Sequence, residues 1–303
     1  MTFEKIAIVG SGAVGLYYGG MLARSGKDVH FLLRSDFEAV QKDGIRLLLP
    51  DEEVHLDNVN AHRSAGSIGP ADLILVCLKT TANEAIPTLL PPLLGDATAI
   101  LTLQNGLGNE PLLAERFGEE RVMGGLCFIC LNRVGAGVVR NFFPGSLTLG
   151  EHSGPPGERA RTVCDLFRAA GIDCHLSANL LETRWRKLVW NVPFNGLTIA
   201  AGGIDTQRIL SDEFLTGEVK ALMIEVQRTA AALGIAIEDQ FLENQIEITR
   251  PMGPYRPSSL VDFLDKRPVE IQSIWEHPLR DAERLGVPSP RLRLLHALLR
   301  ALC

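Results

Sequence analysis

The chain has 303 residues, of which 46% are hydrophobic and 22% are charged. This is enough apolar sequence to bury a core in two domains of ordinary size, which excludes a disordered chain and a small disulfide-stapled scaffold. The formal net charge of −6 argues against a general nucleic-acid-binding protein, because such proteins bind phosphates through an excess of Lys and Arg.

The first half of the sequence alternates strand and helix signals. Continuous apolar runs typical of strands buried on both faces occur at residues 6–9, 29–33, 72–78 and 99–103. Helical spacing of apolar residues falls between and after them, at residues 14–24, 36–42, 83–90 and 110–117. This alternation predicts an α/β domain with a Rossmann-type, doubly wound parallel sheet.

The pattern changes in the later sequence. Residues 137–143 and 146–149 indicate two added strands separated by Pro144-Gly145, followed by a helix at 158–170 and a strand at 172–176. From residue 179 onward the pattern is helical, with predicted helices at 181–192, 212–233, 239–248, 269–285 and 290–302. We therefore predict a Rossmann-type domain over residues 1–177 and an all-helical domain over residues 178–303.

A glycine-rich motif follows the first predicted strand. It reads Gly10-Ser11-Gly12-Ala13-Val14-Gly15, the G-x-G-x-x-G pattern at a strand-to-helix turn. In this context Gly10 makes the tight turn, Gly12 lets the backbone approach a pyrophosphate, and Gly15 lets the helix pack on the strand. The N–H groups at the start of the helix attract phosphates. The motif predicts that these six residues bind a dinucleotide.

The residue at the end of the second predicted strand indicates which dinucleotide binds. NAD sites usually carry Asp or Glu there to bind the ribose hydroxyls, whereas this chain has Arg34, nineteen positions after Gly15. A guanidinium suits the charge of a 2′-phosphate. The sequence therefore favours NADP(H), and the alternative is that Arg34 is a solvated charge at the strand end.

A polar stripe crosses the first predicted helix of the second domain. Lys187, Asn191 and Asn195 are spaced by four residues, so each lies about 40° round the helix from the last. Burying asparagine is unfavourable unless its amide is hydrogen-bonded, and Pro193 removes a helix hydrogen bond and should kink the helix. Such breaches of local rules are typical of functional sites. The alternative is that the amides bond a neighbouring helix.

With these motifs, the chain resembles the ketopantoate reductase family, the 2-dehydropantoate 2-reductases. The resemblance runs nearly end to end and rests on the glycine motif, Val76-Cys77-Leu78-Lys79, Leu103-Gln104-Asn105-Gly106-Leu107-Gly108, Trp185-Arg186-Lys187 with Asn191 and Asn195, Pro257-Ser258-Ser259-Leu260-Val261-Asp262, and Arg267-Pro268-Val269-Glu270-Ile271. It implies an NADP-binding Rossmann domain followed by a helical substrate domain. It also implies NADPH-dependent reduction of 2-dehydropantoate to pantoate, in pantothenate and coenzyme A biosynthesis.

The resemblance implies roles for individual residues. Lys187 would be the general acid, with Glu270 as the second catalytic residue. Asn105, Lys79 and the backbone of Cys130 would contact the cofactor. The residues that would contact the substrate are Asn105, Asn191, Asn195 and Ser258.

Four positions depart from the family pattern, namely Asp205, Ser259, Gln272 and Trp275. These departures weaken the inference that the substrate is 2-dehydropantoate more than they weaken the inference of hydride transfer. One alternative is therefore an NADPH-dependent reductase of another 2-oxo acid or of a β-dicarbonyl. Another is a non-catalytic NADP(H)-binding sensor, although a sensor has no need of a proton donor.

The remaining features predict no further chemistry. Cys127 and Cys130 form a lone C-x-x-C in a predicted strand without a second pair or a nearby His, so we predict neither a metal nor a redox centre. Leucines of the last predicted helix either cover the core, which we favour, or pair two subunits as a homodimer. The absence of a long apolar run and of a secretion signal predicts a cytoplasmic protein without a membrane partner.

Overall fold

The computed structural model describes residues 2–303, apart from the side chain of Pro144. The chain forms two compact units. The first comprises Met1–Gln104 and Asn109–Leu180, and the second comprises Asn105–Gly108 and Leu181–Cys303. The short segment Asn105–Gly108 thus belongs to the second unit although its neighbours in sequence belong to the first.

The first unit is built on a ten-stranded mixed sheet. Its strands are β1 (Lys5–Val9), β2 (Asp28–Leu32), β3 (Ile45–Leu48), β4 (Glu53–Leu56), β5 (Asn60–His62), β6 (Leu73–Val76), β7 (Ala99–Thr102), β8 (Val122–Gly135), β9 (Val138–Glu151) and β10 (Asp173–Leu176). Their spatial order is β4-β3-β9-β8-β7-β6-β1-β2-β5, with β10 paired to β9. Neighbours from β5 across to β8 all pair in parallel, which confirms the predicted Rossmann-type sheet.

Helices pack on this sheet because its central strands are apolar on both faces. They are α1 (Ala13–Arg24), α2 (Phe37–Asp43), α3 (Ile86–Leu89), α4 (Asn109–Phe117) and α5 (Glu158–Ala169). Side chains alternate between the faces of a strand, so Ile6 and Ile8 join one buried cluster while Ala7 and Val9 join another. The continuous apolar runs of the sequence are therefore explained by burial on both sides.

Two predictions for the first unit are wrong in detail. Residues 137–143 and 146–149 form one strand, β9, which runs through Pro144-Gly145. Its register with β8 shifts between Phe128 and Cys130, and such bulges tolerate a residue without an N–H. The helix expected at 83–90 begins as a 3₁₀ turn, Thr80–Ala85, because Pro87 cannot donate the α-helical hydrogen bond to residue 83. Strands β3, β4 and β5 were not predicted, because exposed polar residues such as Arg46, His55 and Asn60 leave them without a continuous apolar run.

All the regular secondary structure in the described residues of the second unit is helical. It contains α6 (Leu180–Ala200), α7 (Thr206–Leu210), α8 (Glu213–Ala232), α9 (Asp239–Thr249), α10 (Ser258–Leu264), α11 (His277–Arg284) and α12 (Pro290–Leu302). A π-helical turn, Gln272–Glu276, directly precedes α11. This arrangement confirms the predicted helical C-terminal region and, with the mixed sheet, the predicted fold class.

Two predicted helices in the second unit need correction, and two further helices were not predicted. Helix α6 continues beyond the predicted end at residue 192 and passes through Pro193, because Val192, Phe194 and Ile199 are buried on both sides of the proline. The helix predicted over residues 269–285 is interrupted by the π-helical turn. Helices α7 and α10 were not predicted, since five and seven residues are too few to show a helical period.

One face of the last helix, α12, packs against the core, as its leucine pattern predicts. Leu292, Leu295 and Leu299 are buried in the core of the second unit, whereas Leu294 and Leu298 are exposed. Pairing of two subunits therefore stays a prediction. Within residues 2–303, no helix combines the length and apolarity that crossing a lipid bilayer requires.

Candidate active site

The glycine motif forms the turn between β1 and α1. Gly10 has φ +101°, and a Cβ there would lie 2.4 Å from the backbone nitrogen of Leu78. A Cβ on Gly15 would lie 2.1 Å from the carbonyl oxygen of Gly10, whereas one on Gly12 would meet no atom within 4 Å. The first and third glycines are therefore required by protein packing, and the second leaves the backbone open to a ligand. This geometry fits a dinucleotide pyrophosphate.

The other motif residues complete the same turn. The hydroxyl of Ser11 donates to the carbonyl of Leu32 at 2.9 Å, which ties the turn to the end of β2. Ala13 and Val14 begin α1, whose first turn contains no acidic residue. The positive end of the helix dipole is therefore not neutralised there and favours an anion. Because β1 lies between β2 and β6, the turn occupies the point where the strand order reverses, which is where such sheets bind nucleotides.

Arg34 follows β2 and is exposed. The loop that carries it is fixed by Asp36, which is only 3% exposed. The Asp36 carboxylate accepts hydrogen bonds from the Ser35 hydroxyl at 2.8 Å, from the backbone N–H of Gly137 at 3.0 Å and from the Arg133 guanidinium. The loop is therefore held in place while the Arg34 guanidinium is available to an anionic ligand.

Lys79 and Cys130 are the other predicted cofactor contacts. Val76 of β6 pairs with Val9 of β1, so the exposed Lys79, three residues beyond β6, lies at the same sheet edge as the glycine turn. Cys130 is half-buried in β8. The contacts of both residues with a cofactor stay predictions.

Two thiols of this unit, those of Cys77 and Cys174, are poorly suited to redox or metal chemistry. Burial raises the pKa of Cys77 well above its ordinary value, and burial also raises the pKa of Cys174. A raised pKa suppresses the thiolate, which is the reactive form. Among the described residues, no three His, Cys, Asp or Glu side chains form a group able to hold a metal ion.

The second unit brings Lys187 and Asn105 together. The ammonium nitrogen Nζ of Lys187 donates to Oδ1 of Asn105 at 3.0 Å. Lys187 is half-buried on α6, and Asn105 lies 82 residues earlier in the chain. The sequence motifs included both residues but did not predict this contact. It orients the amine that the resemblance identifies as the proton donor.

Asn191 and Asn195 continue the stripe along α6, as their spacing requires. They are 7% and 2% exposed, respectively. Oδ1 of Asn195 accepts from the backbone N–H of Ser259 at 3.0 Å, which fixes the start of α10. The alternative interpretation, an amide bonded to a neighbouring helix, therefore holds for the oxygen of Asn195. Ser258, the first residue of α10, is exposed.

Glu270 and the departures from the family pattern lie elsewhere in the second unit. Glu270 is 3% exposed and lies two residues before the π-helical turn. Asp205 accepts from the backbone N–H of Arg208 at 2.9 Å and caps α7. The indole of Trp275 donates to the carbonyl of Val192 at 2.9 Å. Asp205 and Trp275 thus have structural contacts within the protein.

Ser259 and Gln272 are the other two departures. The hydroxyl of Ser259 is buried, and it has no hydrogen-bond partner among residues 2–303. Gln272 is exposed. Neither side chain has a protein contact that explains why it replaces the family's usual residue.

Sequence reasoning missed a hydrogen-bonded group in the first unit. Nε2 of Gln104 donates to Oδ1 of Asn83 at 2.7 Å, and Nδ2 of Asn83 donates to Oδ1 of Asn109 at 3.2 Å. Gln104 and Asn109 flank the segment Asn105–Gly108 in sequence. The only sequence signal was the motif around Asn105, which does not point to Asn83.

Comparisons with known proteins cover nearly the whole chain. The family model described as "Ketopantoate reductase PanE/ApbA" matches residues 6–154, and its C-terminal counterpart matches residues 179–302. A 2-dehydropantoate 2-reductase from a Nostoc species is 39% identical over 98% of this chain and 94% of its own length.

Solved structures agree with these matches. The crystal structure of a 2-dehydropantoate 2-reductase from Geobacter metallireducens has 43% identity and a TM-score of 0.96, covering 99% of this chain and 100% of that one. A second, from Methylococcus capsulatus, has 34% identity and a TM-score of 0.90, covering 98% and 96%. The chain therefore belongs to the ketopantoate reductase family, whose members are NADP-dependent oxidoreductases acting on CH–OH groups.

Proposed function

We propose that this protein catalyses the NADPH-dependent reduction of 2-dehydropantoate to pantoate. The observation that carries the proposal is the Lys187–Asn105 hydrogen bond beside two buried asparagines on one helix, in a member of this family. A half-buried ammonium attracts an anionic 2-oxo acid and is oriented by a neutral partner. This arrangement has the charge and the proton that reduction of a keto group requires.

Residues of the first unit hold the cofactor in this proposal. The turn Gly10–Gly15 binds the pyrophosphate, and Arg34 binds the 2′-phosphate. Lys79, Asn105 and the backbone of Cys130 contact the nicotinamide end. Bound NADPH supplies the hydride.

Lys187 supplies the proton. Hydride addition to the keto carbon converts its oxygen to an alkoxide, and the ammonium of Lys187 stabilises that negative charge. The ammonium then transfers a proton to the oxygen, which gives the hydroxyl of the product and leaves a neutral amine. Solvent reprotonates the amine before the next turnover. Asn105 keeps Nζ oriented throughout, because its amide oxygen accepts from the ammonium.

Neutral polar groups orient the substrate. Oδ1 of Asn195 accepts from the backbone N–H of Ser259, and in this proposal the amide N–H group of Asn195 donates to the substrate. Together with Asn191 and the Ser258 hydroxyl, it binds the carboxylate and hydroxyl of the substrate without adding charge. Glu270 accepts from a substrate hydroxyl or holds Lys187 in place.

The division of labour between the two parts of the sequence is also a proposal. Residues 1–177 bind NADP, and residues 178–303 bind substrate and supply the proton. Asn105 is the exception, because it belongs structurally to the second unit. Action in the cytoplasm and assembly as a homodimer stay predictions.

The test is NADPH oxidation by the purified protein with 2-dehydropantoate, beside a panel of other 2-oxo acids and β-dicarbonyls. The proposal predicts the highest kcat/KM for 2-dehydropantoate. A higher kcat/KM for another 2-oxo acid or a β-dicarbonyl would show that 2-dehydropantoate is not the substrate, while the proposed reaction, NADPH-dependent reduction of a keto group, would stand. Tight NADPH binding with no turnover of any compound would indicate a sensor.

A further inference from the structure

We propose that the π-helical turn Gln272–Glu276, together with Pro278, positions the amine of Lys187. The turn acts through the segment Asn105–Gly108, and Gly106, Trp275 and Pro278 are positioning residues for the reaction. The inference deepens the proposed function and rests on it for its kinetic readout. Its physical basis is a set of contacts within the second unit.

The backbone pattern of the turn directs one carbonyl towards the segment. The N–H of His277 donates to the carbonyl of Gln272, five residues back, which is the π-helical pattern. The next N–H in that pattern would come from residue 278 and would bond the carbonyl of Ser273. Residue 278 is proline and has no N–H. The Ser273 carbonyl accepts instead from the backbone N–H of Leu107 at 2.9 Å.

Two glycines let the segment lie directly on the turn. Gly106 has φ +79°, and a Cβ there would lie 2.3 Å from the carbonyl oxygen of Ser273. A Cβ on Gly108 would lie 2.8 Å from the imidazole of His277. Real Cβ atoms do not approach other atoms this closely, so a side chain at Gly106 would push the segment off the turn.

The same turn also contacts the helix that carries Lys187. Trp275 is fully buried, and its indole N–H donates to the carbonyl of Val192 on α6 at 2.9 Å. A Cβ on Gly196 would lie 2.9 Å from that indole nitrogen. Both partners of the Lys187–Asn105 contact are therefore held against one support, α6 through Trp275 and the segment through Ser273. Trp275, one of the departures from the family pattern, thus makes a contact that supports α6.

A shift of this support would move the amine relative to the substrate. Misplacement of a reacting group by about 1 Å can lower a rate by about a hundredfold. The expected signature is a fall in kcat that is larger than the change in NADPH affinity. Of the proposed cofactor contacts, only that of Asn105 lies on the displaced segment, and the glycine turn of the first unit is untouched.

The test compares Gly106→Ala with Gly234→Ala. The two glycines have nearly the same backbone conformation, φ +79° and +80°, but a Cβ on Gly234 would meet nothing within 4 Å. The backbone strain of alanine is therefore common to both variants, and only Gly106→Ala displaces the segment. We expect kcat for 2-dehydropantoate to fall by on the order of 10- to 100-fold in Gly106→Ala only. Equal kcat values for the two folded variants would overturn the proposal.

A second pair of variants covers the case in which Gly106→Ala does not fold. Pro278→Ala introduces an N–H that competes with Leu107 for the Ser273 carbonyl, and we expect a lower kcat. Pro290→Ala changes the first residue of α12, where an N–H has no acceptor within the helix, and should leave kcat unchanged. Identical kcat values for these two variants would contradict the proposed role of the turn.

A substrate-free readout separates this proposal from the proposed function. Acetylation of the Lys187 amine by acetic anhydride, followed by mass spectrometry, requires no turnover. We expect labelling about two- to tenfold faster in Gly106→Ala or Pro278→Ala than in the matched control, because the hydrogen bond to Asn105 is weakened. If the wild type does not reduce 2-dehydropantoate, the proposed function fails, and the labelling rates alone decide the positioning role. Unchanged labelling would then refute it.

Discussion

The dinucleotide turn of the first unit consists of six consecutive residues, whereas the Lys187–Asn105 contact of the second unit joins residues 82 positions apart. The turn needs only a strand, two tight glycines and a helix start, all of which are local. The contact needs α6, the π-helical turn and a segment from the first half of the sequence. We therefore expect changes at the two places to separate into effects on cofactor binding and effects on chemistry.

The largest effect is expected for Lys187→Ala, which removes the proposed proton donor. We predict that kcat for 2-dehydropantoate falls by about 10²- to 10⁴-fold, the usual contribution of general acid catalysis. The dissociation constant of NADPH, measured by calorimetry, should stay close to the wild-type value.

Lys220→Ala is the matched control for this variant. Lys220 is on α8 and pairs with Glu243, so its loss should change neither value. If Lys187→Ala and Lys220→Ala had equal kcat values, Lys187 would not be the proton donor.

The converse effect is expected for Arg34→Asp. Charge reversal removes charge-assisted bonds to the 2′-phosphate, and we predict that NADPH affinity falls by about 10- to 100-fold relative to NADH. Single-turnover rates at saturating cofactor should change little.

Arg46→Asp provides the control for this substitution, because Arg46 is a half-exposed arginine of β3 that pairs with Glu53. An NADPH-to-NADH preference equal in the two variants would show that Arg34 is a solvated charge. An NADPH-to-NADH preference that changes only in Arg34→Asp would show that Arg34 acts on cofactor binding, separately from the chemistry at Lys187.

The two regions also differ in how far the sequence could predict them. The individual roles of Gly10, Gly12 and Gly15 were predicted, because backbone conformation and close packing in such a turn follow from a local pattern. The stripe of Lys187 and Asn195 was predicted from helical spacing. Its contacts with Asn105 and Ser259 could not be, since they depend on tertiary packing that no local period encodes.

The fold shows the same limit. The buried parallel strands gave continuous apolar runs and the long helices gave clear periods, whereas exposed polar residues interrupt the short strands β3, β4 and β5. The π-helical turn was predicted as ordinary helix, because its apolar residues Ile274 and Trp275 fit either pattern. The effect of proline was predicted wrongly at two places. Pro144 was expected to separate two strands but lies within β9, and Pro87 was expected to fit within an α-helix that instead begins as a 3₁₀ turn.

A moderate effect on stability is expected from pH. Burial lowers the pKa of His62, His277 and His296 below their ordinary value. Between the lowered and the ordinary pKa, the unfolded chain binds more protons than the folded chain, so acid favours unfolding. The stabilisation is fully present above the ordinary pKa of about 6.5 and is lost as the pH falls below it.

Urea unfolding at about pH 7.5 and at about pH 5.5 measures this dependence. His296→Gln should reduce the difference in unfolding free energy between the two conditions. His175→Gln serves as the control, because His175 is exposed and pairs with Asp173. A pH difference that is the same in His296→Gln as in wild type would show that His296 does not contribute.

The smallest effect is expected for Ser259→Ala. This change removes a buried hydroxyl that has no partner among residues 2–303, so the unfolding free energy should stay constant or rise by about 1 kcal/mol. Thr229→Val removes a buried hydroxyl that donates to the carbonyl of Glu225 at 2.8 Å, and it should lower the unfolding free energy by about 1 kcal/mol. A larger loss in Ser259→Ala than in Thr229→Val would reveal a bond to the Ser259 hydroxyl.

The most direct test of the proton-donor role is chemical rescue of Lys187→Ala by small primary amines. With NADPH and 2-dehydropantoate saturating, turnover should rise with the concentration of added ethylammonium and should vary with the pKa of the amine used. Added tetramethylammonium, which has the charge but no proton to donate, should not restore the rate. A variant that turns over at the wild-type rate without any amine, or that both cations restore equally, would contradict the assignment of Lys187 as the group that protonates the reduced oxygen.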